Sequence, residues 1–270
     1  MVISKIKLIG IADILTMSNA TCGLLAIVTF IWFYPNITYG TGLIFLGLVF
    51  DGMDGAAARK FGTKHDFGRH LDSIADACTF VLAPSVLVFV VFSVDVFDGS
   101  SIGLTSFMDP RNFLVLLTCI VIAFFGLKRL IDFTQHGNKL KTFLGLATPA
   151  LGFYVIVISH ILDPHRPEND SMASIYFCLI TILVGSVLMR APIKYPKIRG
   201  KLGAVLAVAI ILSLLSIEVQ RWLGYSSYDE LFIYYRIMSF CGLGIVISYV
   251  FISPIILILL GNDKNKRKKS

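Results

Sequence analysis

The chain has 270 residues, of which 56% are hydrophobic and only 15% charged, and its mean hydropathy is +0.80. A soluble domain carries about 25% charged residues, so the composition excludes a soluble globular protein and indicates a polytopic membrane protein. The formal charge of +7 does not indicate nucleic-acid binding, because the basic residues flank apolar runs and form no polar basic face. Cys22, Cys78, Cys119, Cys178 and Cys241 all fall in apolar stretches without metal-ligand or disulfide spacing, which makes buried free thiols the expectation.

The opening MVISKIKLIG places Lys5 and Lys7 among apolar residues, as in a short amphipathic helix lying on a membrane. Asp13 and Asn19 interrupt the next apolar run and no A-x-A cleavage site follows, so the segment reads as mature protein rather than a signal peptide. Apolar runs then predict an all-α bundle of about eight transmembrane helices, at 13–33, 38–58, 70–95, 112–134, 143–162, 172–191, 202–219 and 231–260. Pro84, inside the third, predicts a kink.

The basic residues assign the sides. Lys5, Lys7, Arg59, Lys60, Lys64, Arg69, Lys128, Arg129, Lys139 and Lys141 share one side with Arg190, Lys194, Lys197, Arg199, Lys201 and the Lys264–Lys269 tail. Only Arg111, Arg166, Arg221 and Arg236 fall on the other, where loops such as SVDVFDGSS and DPHRPENDS are acidic or neutral. Both termini are therefore expected to face the cytoplasm, in the cell membrane. The basic tail also suits anionic lipid. An Asn36-Ile37-Thr38 sequon on the outer side is too short a motif to carry a role.

Residues 51–76, DGMDGAAARKFGTKHDFGRHLDSIAD, hold the polar feature of this apolar chain. Asp51 and Asp54 are three apart and Asp72 and Asp76 four apart, so each pair shares one helix face. Gly62 and Gly68 between them suggest two helices joined by a short turn. Closing that hairpin gathers four carboxylates, whose repulsion one or two divalent cations would relieve. Gly55 and Ala58 lie on the face of Asp51 and leave room for a ligand, and Arg59 offers a planar fork suited to phosphate. These acids lie near one end of their spans. A proton or cation pathway would more often place them near the bilayer midplane.

The pattern D-x-x-D-G-x-x-A-R followed by G-x-x-x-D-x-x-x-D, here Asp51, Asp54, Gly55, Ala58, Arg59, Gly68, Asp72 and Asp76, resembles the signature of the CDP-alcohol phosphotransferase family at every fixed position. That resemblance implies transfer of a phosphatidyl-type group from a CDP-linked lipid to an alcohol, with release of CMP. It further implies that Asp51, Asp54, Asp72 and Asp76 hold two divalent cations, Mg2+ or Mn2+, and that Asp76 is also the general base. Gly55, Ala58 and Arg59 would hold the nucleotide and its phosphates, and Gly68 would allow close helix packing. In the first span Thr16, Asn19 and Gly23 recur at helical spacing, and Asn19 is the candidate to hold the cytosine ring, with Thr63 a second candidate. The alternative for Asn19 is an interhelical hydrogen bond.

Residues 68–84, GRHLDSIADACTFVLAP, resemble the phosphatidylserine synthase branch through Ser73 and Ala83-Pro84, as do RLIDF at 129–133, FLGLATPA at 143–150 and LMRAPIKYP at 188–196. Asp132, Ala147 and Arg190-Ala191 depart from that branch's usual residues. The resemblance makes L-serine the expected acceptor, with Ser73 and Arg129 as acceptor-binding candidates. The guanidinium fork of Arg129 matches a carboxylate, although Arg129 also suits a positive-inside anchor. Rival readings are the same chemistry with inositol phosphate or glycerol phosphate, and a divalent-cation transporter built on the same acids. Residues 1–200 are expected to form the catalytic membrane domain. Residues 201–270 add two further spans that read as scaffold or oligomer surface, with homodimerisation left open.

Overall fold

The computed structural model describes residues 10–34, 36–61, 66–93, 109–136, 145–161, 171–193, 195, 212 and 230–255. The opening basic segment, the turn holding Thr63, the two polar loops, the expected span 202–219 and the Lys264–Lys269 tail lie outside the described residues. The described residues are helical and contain no strand: α1 is Ile11–Trp32, α2 Thr38–Phe61, α3 Asp66–Ala77, α4 Ala83–Phe92, α5 Pro110–His136, α6 Thr148–Ile161, α7 Met172–Leu188 and α8 Glu230–Ile247.

Local chemistry sets several of these boundaries. The Gly10 amide donates to Asp13 Oδ2 at 2.9 Å, closing the first turn of α1. The Phe33 amide returns to the Thr29 carbonyl and the Asn36 amide to that of Phe33, so the chain reverses within a few residues. Asn36 Oδ1 then accepts the Thr38 amide at 3.0 Å where α2 begins. Gly145 takes a left-handed φ of 79°, and a side chain there would collide with the Met189 carbonyl. Its amide and that of Leu146 bond to the carbonyls of Ile193 and Leu188, tying the start of α6 to the end of α7.

Among the described residues, four helices are long and apolar enough to cross a membrane: Ile11–Trp32, Thr38–Ala58, Phe67–Phe92 and Pro110–Gln135. Thr148–Ile161, Met172–Leu188 and Phe240–Ile255 are shorter apolar helices. Exposed Leu24, Val28, Phe113, Ile120, Phe124 and Phe177 line their outer faces, where lipid replaces a soluble protein's polar surface. Phe67–Phe92 has 61% of its span enclosed by the rest of the protein, against 28–33% for the other three. It is the central helix, packed on α1, α5 and α6.

That central helix is continuous through a π turn at Cys78–Leu82, where the Ala83 amide bonds to the Cys78 carbonyl. The predicted effect of Pro84 therefore takes the form of a wider turn just before it, which absorbs the missing proline amide. The π turn is held by close approach. A Cβ on Gly23 of α1 would lie 2.6 Å from Thr79 Oγ1, and one on Gly47 of α2 would lie 2.7 Å from Thr79 Cγ2 and 2.8 Å from Asn19 Oδ1. Small residues at this crossing let three backbones meet. Gly47→Val is expected to destabilise the protein by about 1–3 kcal/mol or more through overpacking. Gly42→Val, where a Cβ meets nothing within 4 Å, is the control. Equal thermal midpoints for the two variants in detergent would refute the close-packing account.

Candidate active site

α2 and α3 carry the acids as the spacing predicts, and they bring three of them together. Carboxylate oxygens of Asp51, Asp72 and Asp76 all lie within 4.8 Å of one another. Asp51 is within hydrogen-bonding reach of Asp76, and the charge of Asp54 bears on all three neighbours. A hard divalent cation takes carboxylate oxygens as ligands, so the donor set fits one. The cluster is partly enclosed by the helices, which strengthens mutual repulsion over what water would permit.

Asp54 falls outside that group of three. It is 5% exposed, and its Oδ2 accepts a 2.6 Å hydrogen bond from Thr16 Oγ1 on α1. The Gly55 backbone also bonds the Asp54 carboxylate.

The polar face of α1 is turned towards the acids, with Thr16, Asn19 and Gly23 all buried on it. Asn19 is fully enclosed, and its Nδ2 lies 3.5 Å from Asp76 Oδ1. Its backbone carbonyl accepts a bond from Thr79 Oγ1 at 2.9 Å, which docks α1 on the π turn immediately after Asp76. Asn19 thus touches the predicted base. Thr79 was not singled out by sequence reasoning, because nothing local distinguishes a span threonine that bonds its own helix from one that clamps a neighbour.

Gly55 and Ala58 lie on α2, on the face of Asp51, and Gly68 lies on α3 one turn before Asp72. Arg59 is in the last turn of α2, but its side chain, like Thr63, lies outside the described residues. Ser73 Oγ bonds to the Arg69 carbonyl and meets Thr134 Oγ1 of α5. Arg129, also on α5, donates from Nη1 to Thr148 Oγ1 at 3.0 Å. Its enclosed Nε has no partner among the described residues, and its charge is within reach of Asp76.

Two of the departures in the sequence prove to be partners. Arg190, at the end of α7, forms an ion pair with Asp132 of α5, and Lys128 lies 3.6 Å from the same carboxylate. The groups are half-exposed, so the pair contributes at most about 1 kcal/mol, but it links two walls of the region around Arg129.

The sequence model of the CDP-alcohol phosphatidyltransferase family matches residues 9–237. The chain is 31% identical over 212 residues to a CDP-diacylglycerol–serine O-phosphatidyltransferase of Methanocaldococcus jannaschii, covering 78% of this chain and 86% of the relative. It is 34% identical over 150 residues to the Bacillus subtilis protein of the same name, covering 56% and 75%. An archaetidylserine synthase of Methanothermobacter thermautotrophicus is 30% identical over 194 residues, covering 71% and 72%.

Proposed function

The chain belongs to the CDP-alcohol phosphatidyltransferase family, and from that premise we propose that it transfers a phosphatidyl-type group from a CDP-linked lipid to the hydroxyl of L-serine, releasing CMP. The observation that carries the chemistry is the convergence of Asp51, Asp72 and Asp76 oxygens within 4.8 Å on two membrane helices. The serine acceptor is supported by relatives named for serine transfer and by the enclosed guanidinium of Arg129, bonded to Thr148.

Asp51, Asp54, Asp72 and Asp76 would hold two divalent cations, Mg2+ or Mn2+, which when bound would neutralise the diphosphate oxygens and stabilise the leaving CMP. Asp76 accepts the serine hydroxyl proton as that oxygen attacks the lipid-side phosphorus and the bond from this phosphorus to the CMP oxygen breaks. Asn19 steadies the Asp76 carboxylate from α1. Gly55 and Ala58 leave the face beside Asp51 open to the nucleotide, and Arg59 would bind its phosphates. Arg129 takes the serine carboxylate, for which its enclosed Nε, without a partner among the described residues, is a fitting donor. The acids lie on the basic side of the sequence, which supports a reaction at the cytoplasmic face.

The deciding experiment is CMP release by the purified chain in CDP-lipid vesicles with Mg2+ or Mn2+. Release that depends on serine is expected. Release dependent on inositol phosphate or glycerol phosphate would replace the acceptor, and divalent-cation flux with no CMP under any alcohol would replace the enzyme by a transporter.

A further inference from the structure

Two contacts fix how α5 lies along the central helix. Ser73 Oγ meets Thr134 Oγ1 at one of them, and a Cβ on Gly126 would lie 2.6 Å from Val81 Cγ1 at the other. The contacts are eight residues apart on both helices, so the two run antiparallel in register. Asp76 lies three residues after Ser73 and Arg129 three after Gly126, each on the face of its contact. Counted from these contacts, their levels along the axis differ by about 3 Å, at 1.5 Å per residue. α6 closes a further side. A Cβ on Gly152 would lie 3.4 Å from the Phe80 carbonyl oxygen and from Pro84 Cγ, so Thr148, one turn earlier, shares the face turned to the central helix.

Thr148 is 2% exposed, and its Oγ1 accepts the bond from Arg129 Nη1 at 3.0 Å. A guanidinium is a rigid planar fork, so holding one nitrogen sets the direction of the others. The enclosed Nε, without a partner among the described residues, is thereby aimed as well. Thr148 is itself anchored. Three residues before it, Gly145 takes its left-handed φ, and the Gly145 and Leu146 amides bond to the carbonyls of Ile193 and Leu188 at 2.8 and 3.0 Å. Leu146 is fully buried. The end of α7 is paired in turn with α5 through Arg190 and Asp132. α5, α6 and α7 therefore form a closed frame, and the Arg129–Thr148 bond joins two of its sides. A free arginine samples many rotamers, which a ligand would have to immobilise on binding. Here that ordering is already complete.

We propose that Thr148 is a positioning residue of the acceptor subsite, its hydroxyl holding the Arg129 guanidinium in the orientation that receives the serine carboxylate. This rests on the serine reading above and adds to it the residue that aims the arginine.

The test is the steady-state rate of CMP release by full-length Thr148→Val and Thr148→Ser, with serine and CDP-lipid varied independently. Thr148→Val keeps the branched shape and removes the hydroxyl, whereas Thr148→Ser keeps the hydroxyl and removes a methyl group. In Thr148→Val the KM for serine should rise about tenfold, the loss expected for one hydrogen bond to a charged group, with kcat and the KM for CDP-lipid unchanged. In Thr148→Ser the KM for serine should stay near the wild-type value. An unaltered serine KM in Thr148→Val overturns the proposal. So does a parallel decline in all three parameters, which would make Thr148 a packing residue. A Thr148→Ser chain as impaired as Thr148→Val overturns it too, because the methyl group and not the hydroxyl would then matter. A wild-type chain that releases CMP with a phosphorylated polyol but not with serine rejects the acceptor reading itself. Serine-dependent wild-type release with an unaltered KM in Thr148→Val rejects the threonine alone.

Discussion

Asp76→Asn is expected to lower serine-dependent CMP release by roughly 10²–10⁴-fold, the contribution of a positioned general base, while CDP-lipid binding is largely retained. Asparagine keeps the shape of the side chain and one carbonyl oxygen, so the contact with Asn19 Nδ2 survives. What it cannot do is accept a proton at the moment the serine oxygen attacks. Asp51 and Asp72 remain to hold the diphosphate through cations, which is why lipid binding and turnover should separate. Single-turnover CMP release and equilibrium binding of the CDP-lipid measure the two quantities. Near-normal turnover would remove Asp76 from the role of base, and joint loss of binding and turnover would make it chiefly a ligand.

The acids were legible in the sequence because the information that places them is local. Spacings of three and four residues set Asp51 with Asp54 and Asp72 with Asp76 on single faces, and apolar runs on either side fix those faces in spans. The candidate spans within the described residues likewise correspond to apolar helices. What escaped was what depends on packing between helices far apart in sequence. Thr16 bonds Asp54 across 38 positions, and Thr79 bonds the Asn19 carbonyl across 60. A threonine in a span reads the same whether it bonds its own helix, as Thr118 does with Leu114, or another.

Pro84 illustrates the intermediate case. The proline announces that the hydrogen-bond ladder must break, but a kink and a re-registered π turn both satisfy that demand. The choice falls to Thr79, Gly23 and Gly47, whose close contacts accommodate the wider turn.

Divalent cations are expected to stabilise the wild-type chain far more than Asp51→Asn. In the metal-free protein the partly enclosed Asp51 carboxylate faces the charges of Asp72 and Asp54, so it is a source of repulsion. Replacing it by a neutral amide of the same shape relieves that repulsion, and the variant should unfold at higher temperature than wild type in chelator. Adding Mg2+ or Mn2+ at about a hundredfold above its dissociation constant should then stabilise wild type by about 2.7 kcal/mol, because the ion binds the folded cluster and not the unfolded chain. Asp51→Asn lacks one of the three converging ligands and should gain much less. The two melting curves should therefore cross as the ion is titrated. Activity should move against metal-free stability: turnover falls by roughly a thousandfold in chelator or in Asp51→Asn, since several kcal/mol of charge stabilisation are lost from the transition state. If wild type and Asp51→Asn respond alike to the ion, the acids do not hold it jointly. If instead Asp51→Asn is less stable than wild type in chelator, the Asp51 carboxylate is needed for packing, and the repulsion that makes this cluster a cation site is absent.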